Sequence, residues 1–288
     1  MEIPYKKLTG TAIDSSSYIQ KWLSQFCESD KVTAIQILKH LHFIPRDSFS
    51  LWLNDSLDHL DKNEKYALYA VRKFLYNKRI FWNSKGYPPT KPSQGQGSED
   101  FISSLINEAS RRQNDIFFDH PSIDVIQQQK IKTIILIDDA TGSGSRLISY
   151  IKFMLTSQKL LSYLSLGRIR FKIFVFASNN VAEQNITKNL FRHQSRQRKV
   201  SFSEKFIFIA KYKYDVNDYA SRWGNDWKKI IQLVDKTTKV TPKNERRGYG
   251  EVMSNIVFYH SVPNNIPKLL LGKQKNGRAL FQSRLNGF

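Results

Sequence analysis

KTIILIDDATGSGSRLISYIKFML, residues Lys132 to Leu155, passes in one step from an apolar run into two acids, then into glycines, then into an apolar pattern at helical spacing. Ile134 to Ile137 read as a strand buried on both faces, as strands of a parallel sheet are. In such a sheet ligands bind beyond the carboxyl ends of the strands. Asp138 and Asp139 sit at that end. Two adjacent carboxylates repel each other and lose hydration there, so they need donors or a metal. Gly142 and Gly144 let the backbone turn sharply and approach a ligand. Residues 143–147 then open a helix whose first N–H groups are free for an anion. An acceptor pair beside an anion cradle suits a ribose phosphate: the carboxylates take the diol and the cradle takes the 5-phosphate. An acidic turn without function is the simpler alternative. A Walker-type ATPase is disfavoured, because the chain has no G-x-x-x-x-G-K-S/T stretch. A G-x-G-x-x-G dinucleotide loop is absent as well.

Around this stretch the pattern alternates. DIFFDH (115–120), RFKIFVFASNN (170–180) and KVSFSEKFIFIA (199–210) read as strands. SRLISYIKFMLTSQKLL (145–161) and VAEQNITKNLFRH (181–193) read as helices. Strand, helix, strand, helix is the α/β signature of a parallel sheet. Residues 15–76 read as helical: SSYIQKWLSQF, DKVTAIQILKHL with Asp30 as N-cap, SFSLWLNDSLDHL and NEKYALYAVRKFLY. Residues 83–98, NSKGYPPTKPSQGQGS, form a Pro- and Gly-rich loop that feeds the helix beginning FISSLINEA, with Ser98 as its N-cap. That loop is a second candidate place for a phosphate, through Gly97, Ser98 and the cation Lys91, although an ordinary capped helix after a surface loop is the simpler explanation. Further on, residues 216–234 read as an aromatic helix, 235–251 as a basic loop and 253–260 as a last strand. Trp223, Trp227 and Tyr219 read as core rather than as a base-stacking platform. The expected organisation is a helical region at 1–77, an α/β core at 78–210 and an α+β extension at 211–288 that completes the core.

Composition gives one strong signal. Forty-five Lys and Arg face 25 Asp and Glu, a formal charge of +20, which attracts polyanions and nucleic acid above all. A merely solvated basic surface is the alternative. RHQSRQRK (192–199) offers Arg192, Arg196, Arg198 and Lys199 to a nucleic-acid backbone, or closes a helix whose dipole favours cations. Cys27 is the single cysteine, which excludes an intramolecular disulfide; its apolar surroundings predict a buried, inert thiol. The six histidines show no i, i+4 pairing. The sequence contains no signal-peptide pattern and no long apolar run, and the expected location is cytoplasmic.

IILIDDATGSGSR resembles the phosphoribosyl-diphosphate (PRPP) motif of type I phosphoribosyltransferases: four apolar residues, two acids, three residues, then Ser/Thr-Gly-x-Ser/Thr. On that pattern Asp138 and Asp139 match the acids that hold the ribose hydroxyls and serve catalysis. Thr141, Gly142, Ser143, Gly144, Ser145 and Arg146 match the loop around the 5-phosphate. A wider set of motifs is similar to the phosphoribosyltransferase-like proteins of bacterial anti-phage conflict systems, some of which sit beside retron reverse transcriptases. These are WLSQF and FIPRDSFSLWL at the front, then GYGEVMSNIVFYHSVPNN and LFQSR near the end.

The resemblance implies a type I phosphoribosyltransferase-like fold, a PRPP or nucleotide ligand carried with Mg²⁺, and a toxin effector in anti-phage defence. The implied partner is a reverse transcriptase with its RNA–DNA product, or another defence component. Three departures count against ordinary base salvage, the first being the short stretch between DIFFDH and TIILIDD, which leaves the usual mobile catalytic loop not evident. Gly142 stands where salvage enzymes carry an Asp thought to act as base, and Arg146 replaces the last hydroxyl residue of the loop. The alternative is a non-catalytic protein that senses a ribose phosphate or binds nucleic acid.

Overall fold

A computed structural model describes residues 5–73, 81–88, 98–191, 205–238, 241–271 and 279–281. The chain groups into two units, one built from residues 50–213 and one from 1–49 together with 214–288. The second of these units joins both ends of the chain.

The terminal unit holds helices α1 (Gly10–Ser15), α2 (Ser17–Leu23) and α3 (Glu28–His40). Strand β1 (His42–Ile44) follows, then helix α4 (Arg46–Asp58), which runs on into the other unit. From the far end of the chain come α10 (Tyr219–Trp223), α11 (Trp227–Thr237) and strand β7 (Ile256–Phe258). β1 and β7 pair in parallel, His42 opposite Ile256 and Ile44 opposite Phe258. Trp22, Leu23, Ile37 and Leu38 from the front pack into one apolar cluster with Trp223, Ile230, Val234 and Leu270. Trp223 is thus core, as its setting predicts. The aromatic helix expected over 216–234 is two helices, because Gly224 ends the first at φ +71°. Asp30 is not the cap of α3: that helix starts at Glu28, after Cys27. Cys27 itself is exposed, not buried, because it precedes the helix and does not lie on its apolar face.

The core unit is an α/β layer structure with the type I phosphoribosyltransferase-like arrangement, a central parallel sheet flanked by helices. Its strands are β2 (Tyr66–Ala70), β3 (Phe117–Asp119), β4 (Thr133–Thr141), β5 (Arg170–Asn179) and β6 (Phe206–Tyr214). They lie in the order β3-β2-β4-β5-β6. β2 pairs in parallel with β3 and β4, and β4 with β5. Helix α5 (Ser98–Arg112) packs on β2, β3 and β4. Helices α6 (Ile123–Gln128), α7 (Ser145–Met154), α8 (Gln158–Ser165) and α9 (Asn180–Phe191) complete the unit. Alternate strand residues, Ala67, Tyr69, Ile134, Leu136, Ile173 and Val175, share a buried cluster with Ile126, Leu147, Ile151, Leu160 and Ile186 from those helices. The helix expected over 145–161 is two, α7 and α8, with Ser157 capping the second by accepting from Leu160 N–H.

The largest correction is β2. NEKYALYAVRKFLY reads as a helix, but Tyr66–Ala70 is a central strand with all five residues buried. A strand covered on both faces is one continuous apolar run, and periodicity cannot tell it from a buried helix. At its carboxyl end the Ala70 N–H donates to His120 Nε2 at 3.0 Å, while His120 Nδ1 faces an Asp119 carboxylate oxygen. No helix among the described residues is long and apolar enough to cross a membrane.

Candidate functional site

The strand order creates the site. From β2 the chain leaves toward β3 on one side, and from β4 toward β5 on the other, so the connections diverge between β2 and β4. A crevice opens beyond the carboxyl ends of strands at such a reversal. There β4 delivers Asp138 and Asp139. Ile137 is paired with Ala70 and Asp138 with Val175, so the acids follow directly on the buried ladder. Asp138 is 1% exposed and Asp139 4%. The Asp139 N–H donates to Asp138 Oδ1 at 2.9 Å, and the Ala140 N–H to Asp139 Oδ1 at 2.7 Å.

Arg146, on the first turn of α7, supplies the main counter-charge. Its Nε donates to Asp138 Oδ2 at 3.1 Å and its Nη2 to Asp138 Oδ1 at 2.5 Å. Nη2 also reaches Asp139 Oδ1 at 2.9 Å and the Ala140 carbonyl at 3.1 Å. The expectation for Arg146 was a phosphate contact; here the guanidinium lies on the acids. Burial pushes the Asp138 carboxyl up, and the Arg146 charge opposes that. Burial also works against the charged guanidinium, but the two carboxylates outweigh it and push Arg146 up. One cation serves two acids.

The glycine loop is held from outside. Asn179, the last residue of β5, donates from Nδ2 to the Gly142 carbonyl at 2.8 Å and accepts from the Ala182 N–H. Asn185 Nδ2 donates to the Ser143 carbonyl at 3.3 Å. Ser143 Oγ accepts from the Ser145 N–H at 3.3 Å and lies 3.0 Å from Ser145 Oγ. Thr141 is buried as the last residue of β4. Gly144 precedes α7 at φ +78°, and a Cβ there would meet Ile186 Cγ1 at 2.8 Å and the Ala182 carbonyl oxygen at 3.0 Å. Only glycine allows α7 to start this close to α9. Gly144, the N-cap residue, makes no side-chain cap, and Ser143 Oγ takes the Ser145 N–H; a helix start of this kind suits an anion.

The other wall begins where β2 ends. Arg72 Nη2 donates to Ser103 Oγ at 3.2 Å, and the Lys73 N–H to Glu99 Oε1 at 3.0 Å, which ties the end of β2 to the start of α5. Ser98 stands at that start, 1% exposed, and its Oγ has no hydrogen-bond partner among the described residues. It therefore does not cap the helix as expected. Arg72 Nε is also buried without a partner among the described residues. Lys91, Gly97, Arg192, Arg196, Arg198 and Lys199 lie outside the described residues.

Asn179, Asn185, Arg72 and Glu99 escaped the sequence reading. The polar end of RFKIFVFASNN was the available signal for the first of them. Among the described residues no group of three or more His, Cys, Asp or Glu side chains could hold a metal. Both site carboxylates bear a guanidinium, a donor set that does not fit a protein-held Mg²⁺, so no residue is assigned to one.

Residues 19–282 match the family model PRTase-CE. No curated protein matches the chain.

Proposed function

The chain belongs to the PRTase-CE family, and from that premise we propose that it binds PRPP or a related ribose phosphate at the carboxyl end of β4. The single observation that carries this is the buried pair Asp138–Asp139 at the sheet's switch point, followed at once by a pinned glycine turn and the start of α7. In this reading the carboxylates accept from the 2- and 3-hydroxyls of the ribose. The N–H groups of α7 and the hydroxyls of Ser143 and Ser145 receive the 5-phosphate. Ser98 and Arg72 face the diphosphate. Mg²⁺ would arrive with that diphosphate.

If a transfer follows, the bond between the anomeric carbon and the diphosphate oxygen breaks, the electron pair leaves with diphosphate, and an acceptor atom forms the new bond. The carboxylates would stabilise the positive charge that develops on the sugar. The phosphoribosyltransferase-like character has direct support in the family match. A toxin role in anti-phage defence has only the order of motifs behind it. Binding without turnover is the second reading, favoured by the grip of Arg146 on both acids and by Gly142 where a base would stand. The charge of +20 supports a nucleic-acid partner, whose binding should weaken steeply with added salt.

The test is calorimetric titration of PRPP with Mg²⁺ into the full chain and into the double variant Asp138→Asn, Asp139→Asn. Two charge-assisted hydrogen bonds are worth about 3–6 kcal/mol together, so the variant should bind at least about 100-fold more weakly. Equal binding by both proteins, or none by the wild type, would refute the proposal.

A further inference from the structure

The acids that should hold a diol are already occupied. Arg146 donates four hydrogen bonds to Asp138, Asp139 and the carbonyl of Ala140. Yet its side chain is still 28% exposed, while that of Asp138 is 1% exposed. The acids are fixed to β4, and the arginine reaches them from the first turn of α7, beside the anion cradle of Ser143, Gly144 and Ser145. A guanidinium presents parallel N–H donors to carboxylates much as a vicinal diol presents two O–H donors. It also binds a phosphate with the same two-pronged geometry.

We infer that Arg146 is an exchangeable stand-in for the ribose diol. In the free protein it compensates two buried acids that would otherwise repel each other. A ribose phosphate enters by giving its hydroxyls to Asp138 and Asp139 while the guanidinium moves to the phosphate. The exchange rests on the ribose-phosphate reading above and adds a selection rule to it. A diol without a phosphate leaves the displaced guanidinium with no new anion and is rejected. A sugar bearing both groups satisfies every donor and acceptor. Arg146 is therefore the residue that makes the site select phosphorylated sugars.

The experiment compares free ribose with ribose 5-phosphate on the full chain, wild type and Arg146→Ala, by calorimetry, with folding checked by circular dichroism. The wild type should prefer ribose 5-phosphate strongly. In Arg146→Ala that preference should shrink at least about tenfold, chiefly because free ribose binds better once nothing competes for the acids. An unchanged preference would overturn the exchange and leave the ribose-phosphate site standing, with Arg146 a fixed strut. A wild type that binds neither ribose 5-phosphate nor PRPP would overturn both. If the alanine variant does not fold, Arg146→Lys serves the same comparison. It keeps a charge and loses the fork, so it should shift the preference in the same direction by less, and no shift would again overturn the exchange.

Discussion

Arg146 in the core unit and Arg222 in the terminal unit are both guanidinium groups drawn into the protein, and the atoms that receive them differ in kind. Arg222 is 2% exposed. It donates to the carbonyls of Val252 at 2.9 Å, Met253 at 2.6 Å, Val216 at 2.6 Å and Asp218 at 3.2 Å. The rings of Tyr214 and Tyr219 lie 5.4 and 5.1 Å from it. Those carbonyls belong to the backbone and include a segment bent into left-handed conformations, Glu251 at φ +58° and Met253 at φ +49°. No small ligand replaces such a partner set, so Arg222 is architecture. Arg146 faces carboxylates, and in the exchange proposed above hydroxyls take its place there. An arginine bound to carbonyls holds a chain in shape; one bound to carboxylates can hold a site in waiting.

The comparison breaks most easily at its rigid end. Arg222→Leu strands several buried carbonyls, each worth about 1–3 kcal/mol, so a loss of roughly 4 kcal/mol or more is expected in urea unfolding. Arg146→Leu should cost clearly less, because Asp138 can take up a proton once its partner is gone. Equal losses would erase the distinction.

Acid sharpens the contrast next. His42 lies in β1, stacked on Tyr5 at 3.8 Å; burial, with Lys7 and His40 adding to it, lowers its pKa from 6.5 to about 4. As pH falls from 6.5 toward 4 the unfolded chain binds a proton that the folded one refuses. Stability therefore falls across that window, by on the order of 3 kcal/mol. His42→Phe should flatten the slope in pH-dependent unfolding.

The smallest effect tests the glycines. Gly144→Ala meets both a positive φ and close contacts, and should cost about 2 kcal/mol. At Gly250, also at positive φ, a Cβ would meet only Val252 Cγ2 at 3.7 Å, so alanine there should cost about 1 kcal/mol. Denaturant midpoints of the two variants decide the ranking.

What was legible in the sequence was local. The strand, the two acids, the glycine turn and the following helix occupy one short stretch, and each leaves a residue-type signature. The partner of the acids left none: Arg146 is eight residues from Asp138, and spacing does not say whether a long side chain turns toward a ligand or back onto the strand. β2 was lost because double burial erases period-two alternation. The pairing of β1 with β7 joins residues far apart in the chain, a contact that no window of sequence contains. Cys27 was misread because its neighbours are apolar while its own position lies just outside the helix.

His120 carries one more consequence. An imidazole nitrogen that accepts from a backbone N–H bears no proton, so in the neutral ring the proton sits on the other nitrogen, toward Asp119. The ring is thereby locked in a single tautomer, readable from its nitrogen chemical shifts. A histidine with an aspartate at its back, near the mouth of a crevice, has the outward form of a catalytic dyad. Its free lone pair, however, is turned into the sheet to finish the ladder of β2, so this dyad is a strand clasp and has no lone pair to offer a substrate.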